Sequence, residues 1–478
     1  MAFNALALAK ILRSLFLTRR YKVAYSGGVD SHVLLHALVG ARPSLGMPDI
    51  EAFHVNHGLS PLAQHWSSHC ETVCRELHVP CRVLHVSARP HQGESPEAAA
   101  RKARYEALKS VVNGEDCLLT AHHRNDQAET VLLQLLRGAG PVGTSSIREL
   151  ARFGGGRIAR PLLDFNRAAL RDYACAQGLQ WVEDDSNFDT GFDRNYLRWE
   201  VMPRLMRRWP GVARSLGRAA AHSAEAAELL AELARADLAG VVGAQSETLF
   251  ISALTALSTP RQRNVLRFWL NTLNFPVPST VQMERVMSDL IGGAWDRTPC
   301  VAWPGVELRR YRDQVYAMEP LPTHDPRKCL IWDMKEPLVL PAAGGLLHVR
   351  PVTGSGLKRS ALTATAVRIA YRCGGERCCP AGRSPAARRP APGNPAGGGP
   401  TGASSVDDRY THSLKKLFQE WGVPPWLRAR IPLLYIGEQL AAVADLWVCE
   451  PFAARSGEPG LKLVWVHSRG RAWSALVG

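Results

Sequence analysis

The chain has 478 residues, of which 58 are Lys or Arg and 43 Asp or Glu, giving a formal charge of +15 with 16 histidines counted as neutral. At ~150 residues per domain the length predicts about three domains, and 46% apolar residues supply enough core to exclude a wholly disordered chain. The lack of any run of ~20 apolar residues argues against a membrane-spanning protein. Eleven scattered cysteines, an odd number, are not a disulfide framework and point to a reducing cytoplasm. The positive charge invites a polyanionic partner, nucleic acid or an anionic membrane face.

The chain opens with MAFNALALAKILRSLFLTRR. Lys10 and Arg13 interrupt its apolar part and no small-residue cleavage site follows, so an amphipathic helix is predicted rather than a leader. Apolar runs at Lys22–Tyr25, Ala52–His54, Arg82–Val86 and Cys117–Ala121 then alternate with helical spacing over Ser31–Val39, Leu62–Leu77, Ser95–Val112 and Asn125–Arg137. That alternation predicts an α/β domain, a doubly wound parallel sheet with helices on both faces. Ligands in such sheets sit beyond the carboxyl ends of the strands.

From about Met202 to Leu290 Ala, Leu, Glu and Arg dominate, as in AAAHSAEAAELLAELARADLA, which predicts a helical domain. From about Thr298 β-like runs return (VELRRYRDQVYAM, LLHVRPV, LKLVWVH) and predict a small mixed α+β region. Residues 381–405 are rich in Pro, Gly, Ala, Ser and Arg and predict a disordered insert. The expected domains are 1–203, 204–320 and 330–478.

The loop after the first strand reads Ser26-Gly27-Gly28-Val29-Asp30-Ser31, and a helix follows at once. Two glycines permit positive φ and close backbone approach to a ligand. Ser31 is placed to cap the helix, and the helix N-terminus with its hydroxyls makes a nest for phosphate oxygens. Without a Lys this is not a P-loop of the GxxxxGK[ST] type. Asp30 beside an anion asks for a bridging cation, and Mg2+ suits it.

SGGVDS resembles the pyrophosphate-binding loop (PP-loop) of the N-type ATP pyrophosphatase superfamily, whose members cleave ATP to AMP and pyrophosphate. Four further stretches narrow the resemblance: His54–Ser60 (HVNHGLS), Glu97–Tyr105 (EAAARKARY), Thr120–Gly140 (TAHHRNDQAETVLLQLLRGAG) and Asp184–Pro203 (DDSNFDTGFDRNYLRWEVMP). Together with His412–Tyr435 and Val443–Val448 near the C-terminus, they resemble the tRNA(Ile)-lysidine synthase family.

The resemblance implies a ligase that joins L-lysine to C2 of the wobble cytidine of a tRNA(Ile) with a CAU anticodon. The intermediate would be an adenylated cytidine, with AMP and pyrophosphate released. It implies ATP binding by Ser26, Gly27, Gly28, Val29, Asp30 and Ser31, with Asp30 as a Mg2+ partner. Asp126 and Glu129, three apart near a helix start and so on one face, would hold the lysine ammonium or the metal. Acids at a helix start are also favoured by the macrodipole alone. His122 would touch the nucleotide or the activated base, and Arg104 would neutralise phosphate charge. The homodimer is left open.

Arg194 and Arg198 share a helix face, either for phosphate contact or for local pairs with Asp189 or Asp193. Arg204, Arg207 and Arg208 begin a run of five arginines with no acid among residues 201–220. Lys415 and Lys416 form a second candidate tRNA surface, because basic residues grip phosphates and set register.

Gly138–Gly143 fits G-x-G-x-x-G but follows a helix, so it lacks a dinucleotide site's context. Two other readings stand beside the ligase. A tRNA thiolase of the same superfamily is disfavoured because no C-x-x-C occurs between the loop and Arg160. An inactive tRNA-binding homologue is disfavoured by Asp30, Asp126 and Glu129.

Overall fold

The computed structural model describes residues 2–58, 60–87, 96–293, 298–340, 345–362, 367–381 and 411–466. The chain forms two compact units, Met1–Glu232 and Leu233–Gly478. Apart from Ala381, the stretch expected to be a disordered insert lies outside the described residues.

The first unit is built on six strands, β1 (Arg20–Ala24), β2 (Asp49–Asn56), β3 (Cys81–His85), β4 (Cys117–Leu119), β5 (Leu150–Phe153) and β6 (Gly156–Ala159). Their order is β3-β2-β1-β4-β6-β5. All neighbours run parallel except β5, which lies antiparallel to β6 at the edge. The sheet is thus doubly wound as the alternation predicts, with one reversed edge strand.

Helix α1 (Ala5–Leu15) buries Leu8, Ala9 and Leu12, the apolar stripe of the opening segment. Helix α2 (Val29–Ala41) buries residues almost all round, among them Val33, Leu34, Leu35 and Leu38. A helix apolar on every side belongs inside, and at roughly 1.5–3 kcal/mol for each large aliphatic side chain buried it anchors the unit. That fixes the position of its N-terminus, the phosphate loop. Helices α3 (Ala63–Glu76), α4 (Pro96–Ser110), α5 (Arg124–Leu136), the short α6 (Pro141–Thr144) and α7 (Arg167–Ala176) complete the layers.

After α7 the chain makes a 3-10 turn at Asp185–Phe188, then α8 (Asp193–Tyr196), a π-helical turn at Leu197–Val201 and α9 (Met202–Arg208). Helix α10 (Val212–Val241) follows.

In the second unit four antiparallel strands, β7 (Thr248–Phe250), β8 (Cys300–Trp303), β9 (Val306–Tyr311) and β10 (Gln314–Met318), form a sheet in the order β7-β10-β9-β8. Its apolar face shares a core with Val265, Leu266, Trp269 and Leu270 of the helix Thr259–Thr272. The stretch read as helical therefore contains a strand, β7, and closes on a sheet. The C-terminal part packs one core of mixed strands and helices, including Phe418, Leu433 and Trp465. Cys378 and Cys449 are joined there by a disulfide, with Cα atoms 5.8 Å apart. This one bond departs from the cysteine count's expectation; 71 residues separate the two thiols in sequence, so no local spacing announces it.

Candidate active site

The loop between β1 and α2 is tied to itself by its two serines. The Ser31 hydroxyl donates to the Gly28 carbonyl at 2.9 Å and accepts the Ser26 N–H at 3.2 Å. Its one proton being spent, the Ser26 hydroxyl donates to Ser31 Oγ at 3.0 Å. Gly28, not Ser31, is the N-cap, and Ser31 stands in the first turn of the helix. The expectation that Ser31 caps α2 is corrected accordingly, because the helix starts two residues earlier than the apolar spacing shows.

Only one of the two glycines uses the left-handed region. Gly27 has φ +83°, and a Cβ there would meet Val182 Cγ2 at 2.9 Å and Cys70 Sγ at 3.0 Å. Gly28 has φ −76°, and its nearest neighbour would be 3.6 Å away.

The loop opens on a cavity of about 400 Å3 lined by Ser26, Gly28, Val29, Asp30 and Ser31, with Arg104, His122, Arg167 and Arg198 on other walls. It lies beyond the carboxyl ends of β1 and β4, as the topology requires. Asp30 Oδ1 is buried without a hydrogen-bond partner. An orphaned carboxylate oxygen on a residue of the phosphate loop suits a cation, and Mg2+ needs only one or two carboxylates when phosphates complete its shell.

The other oxygen, Oδ2, lies 3.6 Å from His123 Nε2. His123, which sequence reasoning passed over in favour of His122, is buried between two acids. Its Nδ1 is 3.3 Å from Asp126 Oδ2 and also 3.3 Å from the Asp126 N–H. The neutral ring accepts from that N–H; the imidazolium donates to the carboxylate. Asp126 Oδ2 in turn accepts the His123 backbone N–H at 3.0 Å, closing a capping box at the start of α5. Burial pushes the His123 pKa down, but Asp126 and Asp30 together outweigh it and the pKa is raised. Burial likewise opposes the charge on Asp126, yet His123, Arg194 and His122 hold its carboxyl well below the usual range.

His122 has the opposite environment. Burial lowers its pKa to about 3, with Arg160, Arg101 and Arg194 adding to the effect and Asp126 opposing it. Its Nδ1 lies 2.8 Å from Thr120 Oγ1, so it lines the cavity as a neutral imidazole.

Asp126 and Glu129 are brought together as the spacing predicts, and two arginines meet them. Arg198 reaches Glu129 with Nε and Nη2, both at 2.9 Å, and Asp126 with Nη2 at 3.1 Å. Arg194 Nε lies 3.2 Å from Glu129 and its Nη2 3.5 Å from Asp126. The expected local pairs of these arginines with Asp189 or Asp193 do not form: Asp193 lies near Arg137 at 3.9 Å, and Asp189 accepts the Gly191 N–H. Their partners lie more than sixty residues away, beyond any helix spacing.

Arg207 and Arg208 are exposed on α9, whereas Arg204 reaches back to Glu200 at 3.1 Å, just outside the acid-free window. In the second unit Lys415 and Lys416 are exposed on the helix Leu414–Glu420, and Phe418 of the same helix is fully buried.

A family model described as a PP-loop domain matches residues 4–205, and models described as the TilS substrate binding domain and the TilS substrate C-terminal domain match 249–316 and 404–465. The tRNA(Ile)-lysidine synthase of Coxiella burnetii is 40% identical over 458 residues, covering 96% of each chain. The chain belongs to the tRNA(Ile)-lysidine synthase family. The member from Alkalilimnicola ehrlichii is 41% identical over 447 residues, 93% of each chain. A solved U34-tRNA thiolase from Methanococcus maripaludis aligns with 45% of this chain and 76% of its own, at 16% identity and a TM-score of 0.40. No described helix is long and apolar enough to cross a membrane.

Proposed function

We propose that the chain ligates L-lysine to C2 of the wobble cytidine of a CAU-anticodon tRNA(Ile), consuming ATP in the cytoplasm. The reading rests on family membership and on one observation: a phosphate-loop cavity whose acid, Asp30, keeps a buried carboxylate oxygen without a hydrogen-bond partner.

In the first half-reaction the cytosine O2 bonds to the α-phosphorus of ATP and the bond to the departing pyrophosphate breaks. Backbone N–H groups at the start of α2 stabilise negative charge there, as a helix N-terminus does for anions. Asp30 would hold Mg2+, which neutralises phosphate charge when bound. Arg104, on the cavity wall, adds a guanidinium to the same charge. His122, neutral at pH 7, offers a hydrogen bond to the base without adding charge.

In the second half-reaction the lysine ε-ammonium loses a proton to water, the freed amine bonds to C2, the C2–O2 bond breaks, and AMP departs with that oxygen. Of the two buried acids we assign Asp126 to the incoming ammonium, because its arginine contacts are the longer ones, 3.1 and 3.5 Å. Glu129, held by two 2.9 Å bonds, fixes Arg198 on the cavity wall. The exposed Arg207, Arg208, Lys415 and Lys416 grip tRNA phosphates.

The test incubates purified chain with ATP, Mg2+, labelled lysine and a tRNA(Ile) transcript with a CAU anticodon. Incorporation that depends on ATP and on the wobble cytidine is expected. Folded protein that releases AMP but transfers no lysine would sink the reading.

A further inference from the structure

Two aromatic rings stand at the cavity with no part in the chemistry above. Phe188 closes the 3-10 turn Asp185–Phe188 and Trp199 sits in the π-helical turn Leu197–Val201. Their ring centroids are 5.2 Å apart and their planes 24° from parallel, an offset stack. Both line the cavity that holds the phosphate loop. Both are also open to solvent, Phe188 by 53% and Trp199 by 38%.

Single exposed apolar side chains are ordinary on a protein surface, but two rings stacked on one cavity wall make a contiguous apolar face with one side free. Trp199 is held in place, because its indole N–H donates to the Asn187 carbonyl at 2.8 Å. Phe188, the more exposed ring, is the outer layer of a braced stack. Arg198 precedes Trp199 on the same cavity wall, and the exposed arginines of α9 follow it along the chain. An aromatic face flanked by cations is what a single-stranded polynucleotide seeks: every base has a π-face and its backbone is anionic. π-helical turns also recur at functional sites.

We propose that Phe188, backed by Trp199, is a stacking platform for an unstacked base of the tRNA anticodon loop beside the reacting cytidine. The inference rests on the lysidine reading for its occupant. The platform holds the loop splayed while the cytidine enters the cavity, so the pair are positioning residues.

The test measures steady-state lysine transfer for Phe188→Leu, Phe188→Tyr and Trp199→Leu in the full chain, varying tRNA and ATP separately. Fluorescence anisotropy of a labelled anticodon stem-loop accompanies it. Leu keeps bulk but removes the π-face, so Phe188→Leu raises the KM for tRNA and weakens stem-loop binding about tenfold, within the range for losing one base–aromatic stack. Phe188→Tyr behaves as wild type, Trp199→Leu loses tRNA affinity in the same direction, and the KM for ATP is unchanged throughout. Wild-type tRNA affinity in Phe188→Leu would overturn the proposal. So would a raised KM for ATP at constant tRNA affinity, which would give the platform to adenine. Should the wild-type chain transfer no lysine, the lysidine reading fails by itself, and the stem-loop arm still decides whether Phe188 stacks on RNA.

Discussion

Arg198 holds Glu129 in a two-pronged grip, Nε to one carboxylate oxygen and Nη2 to the other, each at 2.9 Å. The Glu129 side chain is only 3% exposed, so the pair lies largely away from solvent. Removing one member of a buried pair strands the other. Arg198→Met is expected to cost about 3 kcal/mol, the low end of that effect, because Arg194 still touches Glu129. Thermal denaturation of Arg198→Met against the Arg198→Met, Glu129→Met double variant checks this: the double variant recovers most of the loss.

The two loop glycines separate folding from binding. Gly27→Ala forces a side chain onto φ +83° and into Val182 and Cys70, costing about 1–3 kcal/mol in backbone strain alone. Gly28→Val meets no backbone conflict, but its methyls enter the cavity that Gly28 lines. Calorimetry with ATP is expected to show lost binding for Gly28→Val at a smaller drop in melting temperature than Gly27→Ala gives. Unchanged ATP affinity in Gly28→Val would mislocate the phosphate cradle.

His122 makes the first unit acid-sensitive. Its pKa falls from 6.5 to about 3 on burial, so below 6.5 the unfolded chain takes up the proton first. Stability from this group is whole above 6.5 and is lost as pH falls from 6.5 toward 3. His32, lowered to about 4 mainly by burial, acts in the same direction. Melting temperatures recorded from pH 7.5 down to 5 should fall less steeply for His122→Gln than for wild type; parallel curves would contradict the assignment.

Asp126 separates charge from capping. Asn can still accept the His123 N–H, so Asp126→Asn keeps the start of α5 while losing the anion. We expect a raised KM for lysine together with a lower melting temperature, because Arg194, Arg198 and His123 lose their shared anion. Asp126→Ala also loses the acceptor of the His123 N–H, a further ~0.5–1.5 kcal/mol for one hydrogen bond, visible as a still lower melting temperature.

Arg207→Glu with Arg208→Glu should weaken tRNA binding at fixed salt and leave ATP binding intact. If both arginines neutralise phosphates, the slope of log affinity against log salt shrinks by about 2. Equal slopes would remove α9 from the RNA surface.

The sheet, its helices and the phosphate loop were legible because their signals are local. Apolar runs and helical spacing place β1 to β4 and α2 to α5 within a few residues, and the SGGVDS turn falls between a strand and a helix. The rest of the site is made by distance. His123 matters because α5 begins opposite α2, a fact of strand order that no spacing carries. Arg194 and Arg198 meet acids from another helix. Asp126 at the third position of α5 was the one local trace of the capping box, and it reads equally well as a macrodipole preference.

The capping box at α5 makes one carboxylate answer to two masters. Asp126 fastens the first turn of its helix through the His123 N–H while being the acid we assign to the incoming amine. Retargeting this ligase to a shorter or less basic nucleophile through Asp126 is therefore confined to side chains that keep the acceptor, since any other swap frays the start of α5. A designer would leave that acid alone and resize the space around it.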